Sequence, residues 1–400
     1  MEGKSCLRWG ILATGRIAEN FAKDLLIDPT TREVTDVAHA LIGVASSRSE
    51  EAASAFLDKV HAPSSCRAYG NYGDLVNSSE IDIVYIATPH SHHFQNAMLA
   101  LEAGKHVLCE KALTVNAQQA KKLFVTAVQK QLFLMEGLWT RFQPAGVQVR
   151  RLLRDGTIGV VTRIFADNSL GMNPCNFPAD DRMVKKELAG GALLDCRHAS
   201  SWLSRNHTDK KAVGVYSIHW VLQALQNENR RPTEIYSIMS KYPATGVDET
   251  TTIMMKFPAA TGDGPEVHAI AAASLRAATN SDGKGPAVRI QGDRGEIQIF
   301  GWPWCPSKLR VVQREQGFGN VGVARELTNL IPGGAHGLCF EADEAARCIR
   351  EGRLQSAEMP WAESLVVMEI MDAVRKEMGL SFPDEIESLA YPVELHSKLN

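Results

Sequence analysis

Residues Leu7–Leu26 read LRWGILATGRIAENFAKDLL. The first part is a short, mostly apolar strand that runs into a turn of small residues. The second part, RIAENFAKDLL, carries apolar residues at helical spacing. The turn, Gly10-Ile-Leu-Ala13-Thr14-Gly15-Arg16-Ile17-Ala18, is a relaxed dinucleotide fingerprint, G-x-x-A-x-G-x-x-A. Gly10 is expected to permit a tight strand exit. Gly15 is expected to let backbone amides approach a pyrophosphate at a helix N-terminus, where the dipole favours anions. Small residues at strand–helix turns are common, so the motif gains weight only from opening a βαβ unit.

The surroundings supply that context. HALIGVASSRS is a second strand and EEAASAFLDKV a second helix. IDIVYIATP is a buried-looking strand of branched residues. SHHFQNAMLALEAG is a helix that stops on Gly104, and KHVLCEK is another strand. NAQQAKKLFVTAVQKQ is a helix with Asn116 as its N-cap. Alternating strands and helices through residue 135 imply a parallel, doubly wound sheet.

Beyond a helix at AGVQVRRLLRDG the pattern changes to strand-like runs: VVTRIFADN, TEIYSIMSKY, TTTIMMKF, VHAIAAASL, AVRIQGDRGEIQIF and KLRVVQRE. Their Gly, Pro and Asp turns predict an open, mostly antiparallel sheet. Two helices, FEADEAARCIREG and WAESLVVMEIMDAVRKEMG, close the chain. The expected fold is α/β: a Rossmann-type domain over residues 1–140, then an α+β substrate-binding and dimerisation domain over 141–400.

Bulk properties narrow the class. A net charge of -3 argues against nucleic acid or an anionic membrane as the main partner. No long apolar run or signal sequence is evident. The eight cysteines form no C-x-x-C pair and read as reduced thiols, so a cytoplasmic protein is expected.

The end of the second strand bears on the cofactor. An NAD site usually places an acid there for the ribose hydroxyls. Here the strand ends Ala45-Ser46-Ser47-Arg48-Ser49. Ser47 and Arg48 suit a 2′-phosphate through charge-assisted hydrogen bonds, so the cofactor is expected to be NADP. Arg16 adds positive charge.

The third strand ends in YIATPHSHH, and AGKHVLCEK follows the next helix. At these motifs the chain resembles the glucose–fructose oxidoreductase-like (Gfo/Idh/MocA) dehydrogenase family. EGLWTRFQPA, GGALLD…GVYS and MPWAESLVVMEIMDAVRKEMGLSFP look like its branch of dimeric dihydrodiol dehydrogenases and fungal NADP-dependent D-xylose 1-dehydrogenases. The resemblance places the family's Glu-Lys pair on Glu110 and Lys111. Its Asp-x-Gly-x-Tyr pattern falls on Asp195, Gly214 and Tyr216. Its cofactor-loop histidine falls on His93, with Thr88 and His90 lining the same turn. Its aromatic pocket residue falls on Trp139, with Arg141 two residues on. A homodimer through the second domain's sheet is implied as well.

What the resemblance implies chemically is hydride transfer from a carbinol carbon to NADP⁺. Tyr216 would take the hydroxyl proton. A free phenol has a pKa of about 10, and a neighbouring Lys111 ammonium would lower it. Asp195 would orient Lys111 or a sugar hydroxyl, and Trp139 would offer an apolar wall. The expected reaction is oxidation of an aldose, D-xylose foremost, at its anomeric hydroxyl to a lactone. Oxidation of trans-dihydrodiols is the alternative, and a non-catalytic dinucleotide-sensing regulator is a third. Blander readings exist: a lysine ending a strand is usually solvated, and a tyrosine on VYSIHWVLQAL is most often core. His90, His92 and His93 have no Cys or acid beside them, so no metal is expected.

Two departures from the family pattern stand out. The family usually has Pro after the lysine, and here Ala112 follows. A cis bond before Ala costs roughly 2.5–4 kcal/mol, so a trans Lys111–Ala112 bond is expected. The second departure is Cys196–Val213, a polar stretch without strand or helix period between Asp195 and Gly214. With one Leu in its place the chain reads GGALLDLGVYSIHW. A Cys196 codon can hold a splice-donor GT and Ala212–Val213 an acceptor AG, with frame preserved and a Leu codon re-formed at the junction. Residues 196–213 are therefore read as an unspliced intron, the rival being a genuine loop.

Overall fold

The computed structural model describes residues 5–178, 180–194, 214–225, 231–260, 263–314, 322–328 and 331–395. The chain divides into two compact units: residues 1–142, 331–365 and 384–400 form the first, and 143–330 and 366–383 the second. The C-terminal pieces were expected with the second domain. Two of them fall in the first unit instead.

The first unit opens with β1 (Ser5–Leu12), α1 (Arg16–Leu25), β2 (Val37–Ala45), α2 (Glu50–Lys59), β3 (Arg67–Tyr69) and α3 (Tyr72–Val76). It continues through β4 (Ile83–Ile86), α4 (His93–Glu102), β5 (His106–Glu110), α5 (Ala117–Lys130) and β6 (Leu134–Gly137). The six strands form one parallel sheet in the order β3-β2-β1-β4-β5-β6. Chain order reverses between β1 and β4, the switch point where open α/β sheets bind ligands. The branched residues of β4 are all fully buried, because helices cover both faces of a parallel sheet. Asn116 caps α5 by accepting from the Gln119 amide at 2.9 Å, and Gly104 follows α4 with φ 76°.

The second unit begins with α6 (Pro144–Arg154), β7 (Val161–Asp167) and α7 (Gly214–Ala224), followed by β8 (Glu234–Lys241), β9 (Asp248–Phe257) and β10 (Val267–Ser274). β11 (Val288–Gly292), β12 (Gly295–Trp302), β13 (Cys305–Gln313) and β14 (Val323–Thr328) complete it. These strands form an eight-stranded sheet ordered β14-β13-β12-β11-β7-β10-β9-β8. Every pairing is antiparallel except β7 with β10. One face of the sheet buries Ile253, Met255 and Phe257, while Tyr236, Ile238 and Met254 are exposed on the other.

The chain then enters α8 (Cys339–Arg350), α9 (Trp361–Glu377) and the short α10 (Asp384–Glu387). α8 belongs to the first unit because buried groups far away in sequence hold it. The Asp24 carboxylate accepts from the Gly337 and Leu338 amides at 2.8 Å, the entry to α8. Asp343, on α8, is gripped by two of the three Arg32 nitrogens at 2.7 Å and by His39 at 2.9 Å. No helix among the described residues is long and apolar enough to cross a membrane.

Candidate active site

In the first unit the nucleotide turn leaves β1 at Ala13, whose φ is 84°. That left-handed value disfavours any residue with a Cβ. It turns the chain sharply into α1, whose N-cap, Gly15, offers no side-chain cap. A Cβ at Gly15 would meet no atom within 4 Å, so open space adjoins the first-turn amides. Uncapped amides beside open space fit an anionic pyrophosphate. Thr14, Arg16 and Ile17 flank this opening, with Arg16 exposed. Gly10 has another reason from the one expected. It lies within β1, and a Cβ there would come within 2.7 Å of Leu75 and 2.9 Å of Ile81, so the glycine serves packing over the sheet.

At the end of β2, Ser46 is buried and its hydroxyl accepts from the Arg48 amide at 3.2 Å. The side chains of Ser47 and Arg48 are exposed, with Ser49 capping α2. This edge carries hydroxyls and a guanidinium where an acid would favour NAD.

Around Lys111 the turn after β5 is built from buried hydrogen bonds. Tyr85 donates its phenol to Glu110 at 2.5 Å, and the other Glu110 oxygen accepts from the Lys111 amide at 3.3 Å. The Lys111–Ala112 peptide is cis, which overturns the expectation of a trans bond. That expectation used the local preference of a dipeptide. The turn is set instead by tertiary partners: the Ala112 carbonyl lies 2.8 Å from His93 Nδ1, and the Leu113 amide donates to Glu136 at 2.9 Å.

His93 starts α4 and is 1% exposed. Its Nε2 lies 2.9 Å from the Thr88 carbonyl, so one imidazole bridges the loops after β4 and β5. Burial, aided by the neighbouring His90, pushes its pKa down to about 3. The ring is therefore neutral and donates to one of the two carbonyls. Thr88 Oγ1 accepts from Asn96 at 3.1 Å, and His90 meets His93 edge-on with centroids 6.3 Å apart.

Trp139 and Arg141 form the single turn after β6, and both are buried. The Arg141 guanidinium donates to the Glu363 carboxylate and the Glu358 carbonyl. Its charge is thus committed to an ion pair within the first unit.

In the second unit Tyr216 lies in the first turn of α7, fully buried, its ring tilted against Trp304 at 6.5 Å. Ser217 donates to the Ala272 carbonyl at 2.7 Å and Trp220 to the Pro303 carbonyl at 2.8 Å, which fixes the rotation of α7 about its axis. The Gly190–Gly191 pair exists for close approach. A Cβ at Gly190 would lie 2.3 Å from the Arg182 carbonyl, and one at Gly191 (φ 125°) 2.1 Å from Asp248. Asp248 is fully buried, accepts from Thr251 at 2.9 Å, and is pushed up to about 6 by burial. Asp195 and residues 196–213 lie outside the described residues. Their flanks do not: the Gly214 amide donates to the Ala192 carbonyl at 2.8 Å, so the chain on either side is joined by one bond.

Glu136, Ser364 and Asp248 escaped the reading of the sequence. The first had a signal, a lone carboxylate inside the apolar run Phe133–Leu138. The others had none, since each matters through residues far away in the chain.

Residues 7–138 match the profile of an oxidoreductase family with an NAD-binding Rossmann fold. The D-xylose 1-dehydrogenase (NADP(+)) of Hypocrea jecorina is 43% identical over 96% of this chain and 95% of its own. The human trans-1,2-dihydrobenzene-1,2-diol dehydrogenase is 31% identical over 95% of this chain and 99% of its own. Among solved structures, an NAD binding oxidoreductase from Klebsiella pneumoniae superposes with a TM-score of 0.74 at 19% identity, covering 94% of this chain and 97% of that one. That likeness speaks for the fold. Identity sustained through both units, on a six-stranded dinucleotide-type sheet and an eight-stranded mixed one, places this chain in the Gfo/Idh/MocA family of NAD(P)-dependent dehydrogenases.

Proposed function

We propose that the protein is an NADP-dependent dehydrogenase that oxidises the anomeric hydroxyl of an aldose, D-xylose foremost, to the lactone. The observation that carries this reading is the 43% identity, over nearly all of both chains, to a D-xylose 1-dehydrogenase (NADP(+)). The exposed Ser47 and Arg48, with no acid at the end of β2, support the choice of NADP. Bound at the α1 turn, the dinucleotide supplies the hydride acceptor.

The chain's own residues do the rest. Tyr216 takes the proton of the anomeric hydroxyl as the C–H bond breaks with its electron pair and the C=O forms. Lys111 and Asp195 keep the charge and orienting roles that the family resemblance assigns to them. Ala13, Thr14, Gly15, Arg16, Ile17, Thr88, His90, His93 and Glu110 hold or line the cofactor site, Gly10 packs the strand that leads to it, and Trp139 gives the sugar an apolar wall. Arg141 supports that wall through its ion pair. The protein pairs with a second copy through the exposed face of β8 and β9, where Tyr236, Ile238 and Met254 are 56%, 72% and 48% exposed.

The test is a panel of pentoses, hexoses and trans-dihydrodiols with NADP⁺ and NAD⁺. D-Xylose with NADP⁺ is expected to lead. A dihydrodiol in first place would favour the second reading, which the 31% identical relatives support. Lys111→Met is expected to abolish NADPH production while NADP⁺ still binds. Turnover equal to the parent's would refute the role given to Lys111. NADP⁺ binding without turnover of any substrate in the parent would favour a regulator.

A further inference from the structure

Glu136 has no role in the chemistry above, yet it sits on β6 at 2% exposure. A carboxylate is costly to bury, and one retained in an apolar strand has to be held by hydrogen bonds or an opposite charge. Its two oxygens have different tasks. Oε1 accepts from the Leu113 amide at 2.9 Å, and Oε2 accepts from the Ser364 hydroxyl at 2.6 Å.

The Leu113 amide belongs to the same peptide group as the Ala112 carbonyl, which His93 Nδ1 approaches at 2.8 Å. With the His93 proton on Nδ1, the peptide plane that follows Ala112 is held at both ends by buried side chains from different elements. His93 comes from the start of α4 and Glu136 from β6. A plane held at its oxygen and its hydrogen keeps one orientation, and the chain from Lys111 enters it through the single residue Ala112.

The second oxygen connects this clamp to the C-terminal motif MPWAES. Trp361 donates its indole N–H to the Leu134 carbonyl at 2.8 Å, and its ring stacks on Phe124 with centroids 5.1 Å apart. Glu363 pairs with Arg141. Ser364 is thereby placed over Glu136, so the motif braces β6 and the carboxylate on it. The members named here all lie in the first unit.

We propose that Glu136 is a positioning residue for Lys111, acting through the Ala112–Leu113 peptide group, with Ser364 holding its carboxylate in place. This rests on Lys111 having the role given above. Burial pushes the Glu136 carboxyl up to about 7, partly offset by Ser364, the Leu113 amide and the Lys111 charge.

The experiment compares Glu136→Ala, Glu136→Gln and Ser364→Ala with the parent by three readouts. Hydrogen exchange of the peptide covering Leu113 needs no substrate: Glu136→Ala is expected to speed it about 10-fold or more while β1 peptides stay unchanged. In D-xylose oxidation, kcat is expected to fall about 10- to 100-fold with the NADP⁺ Kd within about twofold, since a misplacement near 1 Å costs that much. Glutamine keeps an acceptor for Leu113, so Glu136→Gln is expected to retain slow exchange and most of kcat. Ser364→Ala, which preserves packing, is expected to move both readouts in the same direction by less. Should Glu136→Ala fail to fold, Ser364→Ala and Glu136→Gln decide. Unchanged exchange and kcat in Ser364→Ala, or a glutamine variant as slow as a Lys111 variant, overturns the proposal. Full turnover in Lys111→Met would refute the role given to Lys111, while the exchange readout would still report on the clamp.

Discussion

Replacing Cys196–Val213 with a single leucine is expected to stabilise the protein. The Gly214 amide bonds the Ala192 carbonyl at 2.8 Å, so whatever lies between is a closed loop in the folded state. That loop holds 21 residues, Leu193–Val213, and four after the replacement. Closure entropy scales as (3/2)RT ln n, so the shorter loop lowers the cost of folding by about 1.5 kcal/mol. For a unit near 200 residues this raises Tm by about 3–6 °C. The bond itself is retained, because the shortened chain still supplies four residues to turn between its two groups. Thermal unfolding of both chains, followed by circular dichroism and by calorimetry with NADP⁺ absent, measures the shift. A Tm that falls would refute the reasoning: residues 196–213 would then contribute packing exceeding their closure cost. Turnover gives a second readout. If the segment displaces Asp195, the shortened chain should oxidise D-xylose up to about 10²-fold faster. A mature transcript encoding Cys196–Val213 would end the intron reading while leaving the stability prediction intact.

Three further outcomes follow from single side chains. Ala13→Gly should stabilise by about 0.5–1 kcal/mol: relief of a left-handed alanine is worth about 1–2, and the glycine's greater unfolded-state entropy offsets about 0.4–1. A loss of stability in denaturant titrations would show that Ala13 is unstrained. Arg48→Ala should weaken NADP⁺ relative to NAD⁺ by about 10- to 100-fold, the loss of a hydrogen bond to a charged group, read from the ratio of KM values. Equal losses for both cofactors would remove Arg48 from the 2′-phosphate. Glu136 has a folded pKa raised to about 7 against 4.5. The folded state therefore holds a proton that the unfolded state has released between those values. Its contribution is fully present below about 4.5 and is lost as pH rises through about 7, on the order of 3 kcal/mol. Glu136→Gln should lose this slope and gain on the parent at pH 8 but not at pH 4.5; parallel stability curves would contradict it.

Reading the sequence recovered the elements that are encoded locally. The nucleotide turn, the acid-free end of β2 and the Asn116 cap are each determined by a handful of adjacent residues. Gly10 was found for an incomplete reason, since Leu75 and Ile81 crowd it from more than sixty residues away. The cis geometry at Ala112 was missed, because the cost of a cis bond was weighed without His93 and Glu136. β14 and the return of α8 to the first unit left no local mark either.

Periodicity in the chain alone determined a parallel sheet followed by an antiparallel one, because a strand between helices and a strand facing solvent need different spacings of apolar residues. Tertiary structure alone decided which distant groups complete each local element. Asp24 receives the entry of α8, Asp343 receives Arg32 from 311 residues away, and Glu136 receives Leu113 and Ser364. Those choices are made by buried polar groups that must find partners once water is gone. The partners are set by how the elements pack, which no neighbouring stretch of chain records.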